Sequence, residues 1–354
     1  MKILFIAGRE PSYVRNAMLL KMLEVSGVEI VHCTDSSLSY PTRFLKVIRK
    51  YLTLKNKNVD GVFVGFLGQP LVPIIRMCTE KPIIFDAFLS TYDTMCFDRK
   101  RFKPDSLPGK FFYWLDKQSC TQADIILLDT DAHIDYFVRT FGIDGSKFHR
   151  VFVGADESIF FPREIKREDD KFRVFYYSSY LPLHGSEYIV QAAGKLRDYD
   201  EIEFVMVGNG MEYGKIQSLS RNLGIKNIRF IDWLPFEQLP LEIAQSDLCL
   251  GGHFSDNDKA GRVIAGKTFQ FIAMKKPVIV GDCAGNRELL TDRKNAFFVA
   301  MADAEALANA ILELRSNVAL RAYIAEGGYD TFKANGTTDV IAKTLCRIIP
   351  QGNY

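Results

Sequence analysis

The sequence lacks several patterns that would assign it to a class of protein at once. Its 7 cysteines never show CxxC spacing, which excludes a structural zinc site, and several fall in apolar runs typical of reduced core thiols. No apolar stretch approaches the roughly 20 residues of a membrane span. The apolar run 3–7 is too short for a signal sequence. We therefore expect a cytoplasmic protein without a membrane-spanning segment.

An excess of charge and a dinucleotide motif are missing as well. Lys and Arg (45) nearly balance Asp and Glu (43), so no overall field attracts nucleic acid, and we expect no nucleic-acid partner. The turn after the first strand contains only Gly8-Arg9-Glu10-Pro11, and no GxGxxG follows any predicted strand. A nicotinamide-dependent oxidoreductase is therefore disfavoured.

The pattern of elements predicts two α/β domains within the 354 residues. Strand, glycine turn, helix and strand over 2–33 open a doubly wound domain, and a strand over 151–155 is predicted to complete its sheet. The charged segment 163–171 has the composition of a linker, and a second strand-helix series begins at Phe172. We therefore expect domains over 1–165 and 166–337. The sequence specifies no partner for the last helix, and packing of 338–354 back on the first domain is one option.

In the first domain, three residues are candidates for binding or catalysis. Asp86 follows the predicted strand 82–85, and a carboxylate at the carboxyl end of a parallel strand points towards the ligand edge of the sheet. Asp is also a favoured helix cap, so that alternative stays open. We expect Gly8 and Arg15, at and after the first strand's turn, to contact an acceptor substrate.

Two segments, 41–57 and 99–114, combine basic and aromatic or aliphatic residues. The first reads as a basic amphipathic helix, a pattern that can lie on an anionic membrane surface. A solvated helix whose apolar face belongs to the core explains it equally well. The second cluster favours the membrane interpretation, which would place the protein at the inner face of the membrane.

The stretch 261–290 is predicted to line the active cleft. A helix starts near Lys267, breaks at Lys276-Pro277 and leads into the apolar strand 278–280, which ends in a Gly281-Asp282 turn. Two earlier strand-to-helix turns carry glycine too, namely 178–185, which ends in His184-Gly185, and the turn Gly208-Asn209-Gly210.

These three segments resemble glycosyltransferase family 4, the retaining enzymes of the GT-B fold that use nucleotide sugars. The resemblance implies two Rossmann-like domains facing each other across a cleft, the first for the acceptor and the second for a UDP or GDP sugar, with no metal ion or other cofactor. His184 stands at the family's lysine position. Gly185 opens a helix whose N–H groups can bind phosphate.

The residues of the focal stretch also depart from the family pattern. Gln270 stands where the family's second glutamate binds the ribose, and Arg262 where the first would be; Ser179 replaces a loop arginine. Arg262 and Lys267 are expected to supply the missing positive charge to the diphosphate. Glu288 is a candidate donor ligand or a helix cap.

Together these features predict a hexosyltransferase-type glycosyltransferase that serves a glycan or lipid-linked acceptor, in cell-envelope polysaccharide or glycolipid synthesis. Asp86, His184 and Lys267 are the predicted catalytic residues. A metal site is not expected, although 129–131 and 256–258 have DxD spacing. Two alternatives keep the fold: a nucleotide-sugar epimerase or hydrolase, and a catalytically degenerate binding subunit.

Overall fold

The computed structural model describes residues 1–54 and 58–349 and divides the chain into two units, Met1–Val153 together with the segment from Thr338, and Gly154–Thr337. The end of the predicted basic helix (55–57) and the last residues of the segment 338–354 lie outside the described residues. Within the described part of the chain, no helix is both long enough and apolar enough to cross a membrane.

The first unit is built on a parallel sheet of 6 strands in the order β2-β1-β3-β4-β5-β6. The strands are Lys2–Ala7 (β1), Glu29–Cys33 (β2), Gly61–Gly65 (β3), Ile83–Asp86 (β4), Ile125–Leu128 (β5) and Phe148–Arg150 (β6). The helices between them are Val14–Val25 (α1), Tyr40–Leu54 (α2), Leu71–Arg76 (α3), Thr91–Asp93 (α4), Leu107–Gln122 (α5) and Asp131–Phe141 (α6). The short helix α4 continues as a wider helical turn over Thr94–Asp98.

The second unit repeats this plan with a parallel sheet of 6 strands in the order β12-β11-β10-β7-β8-β9. Its strands are Phe172–Tyr177 (β7), Ile202–Val207 (β8), Ile228–Ile231 (β9), Leu248–Leu250 (β10), Val278–Gly281 (β11) and Phe297–Val299 (β12). Its helices are Ser186–Lys195 (α7), Tyr213–Asn222 (α8), Leu239–Ala244 (α9), Gly266–Ala273 (α10), Ala284–Arg287 (α11), Ala304–Ser316 (α12) and Val318–Asn335 (α13).

The central strands are apolar on both faces because helices cover both sides of each sheet. In β1, Ile3, Phe5 and Ala7 belong to one core cluster, whereas Leu4 and Ile6 belong to the other. This alternation follows from the period of two in a strand. The C-terminal helix Thr338–Ile348 completes the first of these clusters, where its Ile341 and Leu345 are buried against α1.

One expectation about the first sheet is wrong. The run 151–155 is not a strand; the edge strand is β6, whose Phe148 pairs with Ile126. The run is largely buried, and the Val151 N–H donates to the Leu128 carbonyl of β5 at 2.7 Å, but the strand pairing does not continue beyond Arg150. The charged segment 163–171 is mostly exposed and belongs to the second unit, where Arg167 donates to Asp247 and to the Gln245 carbonyl at 2.8 and 2.9 Å.

Candidate functional site

The candidate site lies at the point in the second sheet where the order of the strands reverses direction. β7 has β8 on one side and β10 on the other, and ligands of doubly wound sheets bind at such a switch point, beyond the carboxyl ends of the strands. The loop after β10 contacts the loop after β7 there. The Phe254 N–H donates to the His184 carbonyl at 3.2 Å, and the Ser255 hydroxyl donates to the Leu183 carbonyl at 2.9 Å.

Glycines make this approach of backbones possible. Gly185 has a φ of +65°, and a Cβ on it would clash with the backbone at Ser255. On the other side of β7, a Cβ on Gly208 would strike the Ser178 carbonyl, and one on Gly210 the Ser179 carbonyl. The predicted turn Gly208–Gly210 therefore lies at the same edge of the sheet as the loop that follows β7.

Two imidazoles face each other across the contact between the loops. The rings of His184 and His253 lie parallel, 4° apart in orientation, with centroids 5.2 Å apart. His184 Nδ1 accepts from the Leu181 N–H at 3.3 Å, which leaves Nε2–H as the donor of the neutral ring. Burial lowers the pKa of His184 well below its usual value, and Lys267 and His253 lower it further. His253 was missed by the sequence analysis.

Lys267 enters the site from the first turn of α10. Its side chain is buried, and its Nζ lies 4.4 Å from the centre of the Tyr176 ring without any hydrogen-bond partner. Burial lowers the pKa of Lys267 to about 7 because an ammonium group loses hydration there. Within residues 1–54 and 58–349, no carboxylate pairs with Lys267, His184 or His253.

Gln270, one turn further along α10, is also buried in this region. Its Oε1 accepts a hydrogen bond from the hydroxyl of Tyr177, the last residue of β7. The amide oxygen is therefore already engaged. Tyr176 and Tyr177 are two further site residues that the sequence analysis did not identify, although both lie directly at the carboxyl end of a predicted strand.

The remaining predicted donor residues lie on neighbouring turns. The backbone of Arg262, in the turn before α10, packs against Gly285 of α11, and Glu288 follows that helix. Asn209 is exposed, and its Oδ1 accepts from the Gly210 N–H at 2.7 Å. Their roles in donor binding stay predictions.

In the first unit, the structure joins two predicted residues in one buried ion pair. Arg15 Nη2 donates to Asp86 at 2.7 Å, and its Nε donates to the same carboxylate. The side chains are 2% and 0% exposed, and Arg15 Nη1 reaches the Phe152 carbonyl at 3.4 Å. Gly8 packs against Leu67, and its carbonyl accepts from Arg43. A catalytic role for Asp86 stays a prediction.

The chemistry of the second unit's site suits an anion. A buried ammonium and two neutral imidazoles converge without a counter-charge, and such groups are stabilised by a ligand that brings negative charge. Among the described residues, no group of three or more His, Cys, Asp or Glu side chains is placed to hold a metal ion.

Comparison with known proteins shows what the second unit is similar to. Residues 158–331 match the family described as glycosyl transferases group 1. The alpha-D-kanosaminyltransferase of Streptomyces kanamyceticus is 23% identical over 271 residues, which cover 73% of this chain and 65% of that protein. The lipopolysaccharide core biosynthesis glycosyltransferase LpsD of Rhizobium meliloti is 27% identical over 45% of this chain and 46% of its own length. The chain thus spans less than two thirds of both relatives.

Among solved structures, Anabaena Alr3699/HepE in complex with UDP superimposes with a TM-score of 0.74 and 14% identity, over 98% of this chain and 99% of that one. A likeness at this identity concerns the fold, which confirms the expected α/β architecture of two parallel sheets. The chain has the GT-B fold, and its residues 158–331, just under half of the chain, match the family described as glycosyl transferases group 1.

Proposed function

We propose that this protein is a glycosyltransferase that transfers a hexosyl group from a UDP or GDP sugar to a glycan or lipid-linked acceptor. The observation that carries the proposal is the buried Lys267 ammonium without a hydrogen-bond partner, beside His184 at the switch point of the sheet. The UDP bound by Anabaena Alr3699/HepE, a protein of the same fold, supports a nucleotide donor.

The proposed chemistry depends on stabilising the leaving group. Negative charge develops on the nucleoside diphosphate as the glycosidic bond breaks, so donors fixed near it lower the barrier. Lys267 and His184 Nε2–H would hold the phosphate oxygens, with the N-terminus of α7 beside them. Gln270 would donate an amide N–H to the ribose, since its oxygen is engaged with Tyr177. Retention of configuration is proposed from the resemblance to family 4.

The first unit would receive the acceptor. Gly8 lies at the carboxyl end of β1, at the switch point of the first sheet, where β1 has β2 on one side and β3 on the other. Because the Arg15–Asp86 pair is buried, we propose that it acts by holding this edge in place, through the Phe152 carbonyl, rather than by direct contact with the acceptor.

Peripheral contact with the inner face of an anionic membrane is the second part of the proposal. On α2, Val47 and Tyr51 are core residues, whereas Leu45 is 68% exposed. On α5, Phe111 and Trp114 are half exposed and stack on each other, with basic residues just before them. Exposed aromatic and basic residues together favour a membrane interface. A lipid-linked acceptor in envelope polysaccharide or glycolipid synthesis would be reached from there.

A panel of nucleoside diphosphates and their sugars tests the donor assignment. A ligand at 100 times its dissociation constant adds about 2.7 kcal/mol to the free energy of unfolding, which a thermal-shift assay detects. We expect stabilisation by one base only, and transfer of labelled sugar to a glycan or lipid acceptor. If no nucleotide stabilises the protein, the donor assignment is wrong.

The two alternatives have different signatures in the same assays. Gln270 in place of a glutamate and Ser179 in place of the loop arginine favour a degenerate binding subunit, which would bind a donor but turn over none with any acceptor. An epimerase or hydrolase would convert the nucleotide sugar without an acceptor.

A further inference from the structure

The second imidazole of the candidate site, that of His253, has no role in the sugar transfer proposed above. His253 is 5% exposed, and its Nδ1 is buried without a hydrogen-bond partner. His253 comes after Gly251 and Gly252, the two glycines that follow β10. A Cβ on Gly281 of β11 would clash with the His253 carbonyl. Backbone contacts from both neighbours therefore fix the loop, and the unpartnered ring nitrogen lies on a rigid support.

The surroundings of this ring are all neutral or cationic. Its parallel partner is His184, and Lys267 and Lys259 both lower the pKa of His253 after the larger effect of burial. The aromatic rings of Tyr176 and Tyr177 flank Lys267 from β7. The described residues provide no carboxylate for this group of His184, His253 and Lys267, hereafter the nitrogen cluster.

A buried group of this kind resists protonation until an anion arrives. Two parallel imidazoles cannot both be charged at contact distance, and a nearby ammonium opposes either charge. A diphosphate reverses the balance because each of its charges favours the protonated form of the nearest nitrogen. The pKa of Lys267, about 7 without a ligand, places this change within reach of neutral pH.

We propose that His253 is a ligand of the donor diphosphate beside His184, and that the nitrogen cluster takes up one proton from solvent when the donor binds. The inference rests on the proposed function of the same site. His253 donates an N–H to a phosphate oxygen. Lys267 gains the proton and pairs with the diphosphate as an ammonium ion.

Titration calorimetry with UDP-glucose and GDP-mannose measures the proton count directly. Neither sugar nucleotide titrates between pH 6 and 8.5, whereas a terminal phosphate has a pKa near 6 and would obscure the count. The binding heat is measured in two buffers without phosphate, HEPES and Tris, because their ionisation enthalpies differ and phosphate would compete for an anion site. With a starting pKa of about 7 we expect an uptake of ~0.9 proton per donor at pH 8 and less at pH 6.5.

Substitutions separate the two halves of the proposal. In the Lys267→Arg variant the side chain is charged at every pH of the experiment, so the proton uptake at pH 8 should fall to nearly zero.

The His253→Leu variant should bind the donor about 10-fold more weakly or worse, the effect of losing one hydrogen bond to a charged group. His253→Asn retains an N–H near the Nδ1 position and should recover most of the affinity. His149→Asn, a half-buried histidine of β6 in the other unit, is the matched control and should change neither quantity.

The outcomes distinguish this inference from the proposed function. Donor binding without proton uptake at pH 8, or full affinity in His253→Leu, overturns the inference alone. Equal loss of affinity in His253→Leu and His253→Asn, with unfolding temperatures unchanged, also overturns it because a hydrogen bond is then not the cause. Failure of both sugar nucleotides to bind overturns the inference together with the donor assignment.

Discussion

Replacing Lys267 with Met should stabilise the free protein while abolishing donor binding. The pKa of Lys267 falls from 10.5 to about 7 on folding. Each unit of a pKa shift corresponds to about 1.4 kcal/mol, so the buried ammonium costs on the order of 4 kcal/mol near pH 7. Methionine has a similar length, fills the same space and has no charge to desolvate.

The effect should depend on pH in a defined direction. Between pH 7 and 10.5 the unfolded chain binds a proton at Lys267 that the folded protein lacks, so the stability of the wild type rises with pH there. The advantage of Lys267→Met is therefore largest at and below pH 7 and shrinks by about 1.4 kcal/mol per pH unit above it. Above pH 10.5 the advantage disappears.

Urea unfolding at pH 7, 8 and 9 measures the difference. Far-UV circular dichroism follows the unfolding, because Trp233, the tryptophan of the second unit, is already 75% exposed in the folded protein and its fluorescence would change little. Lys275→Met, at an exposed lysine beside the same helix, is the matched control and should stay within ~0.5 kcal/mol of its parent. A Lys267→Met protein less stable than its parent at pH 7, or a difference independent of pH, would refute the reasoning.

Three further outcomes follow from the structure. Arg15→Met leaves Asp86 buried and unpaired, and should lower the free energy of unfolding by about 3–5 kcal/mol in urea titrations; an effect below 1 kcal/mol would contradict the buried pair. Gly185→Ala places a Cβ against Ser255 at a positive φ, so we expect a loss of ~2 kcal/mol or more and weaker donor binding in calorimetry; unchanged affinity would remove this loop from the site. The double variant Phe111→Ser, Trp114→Ser should reduce cosedimentation with anionic vesicles without changing donor affinity; equal cosedimentation would exclude α5 as the membrane contact.

Local sequence patterns predicted most of the secondary structure, for identifiable reasons. The strands over 2–7 and 172–177 are continuous apolar runs ended by turns, and the helix over 131–141 ends at Gly142 in the left-handed conformation. The helix α13 was missed. Its 18 residues include only four buried ones, and its apolar residues do not follow a clear helical stripe. Packing against α10 and β11, which no local pattern reveals, fixes its position.

The site was predicted only in part. His184, Gly185 and Lys267 were identified because their strand-to-helix segments resemble those of glycosyltransferase family 4. His253 was missed because its role depends on the β10 loop, which becomes a neighbour of His184 only when β10 pairs with β7. Likewise, Arg15 and Asp86 were each identified as candidates, but their mutual burial, which argues against direct contact with a substrate, depends on packing between α1 and β4.

The sequence by itself determined the class of fold, most of the strands and helices, and the family resemblance of the second unit, because periodicity and turn residues act over a few positions. The tertiary structure alone decided which charged side chains are buried and whether they are paired. Lys267 reads in the sequence as an ordinary lysine at a helix start. Folding places its ammonium beside two imidazoles and two tyrosine rings, with no carboxylate paired to it among the described residues, and for this reason we propose it as part of an anion site.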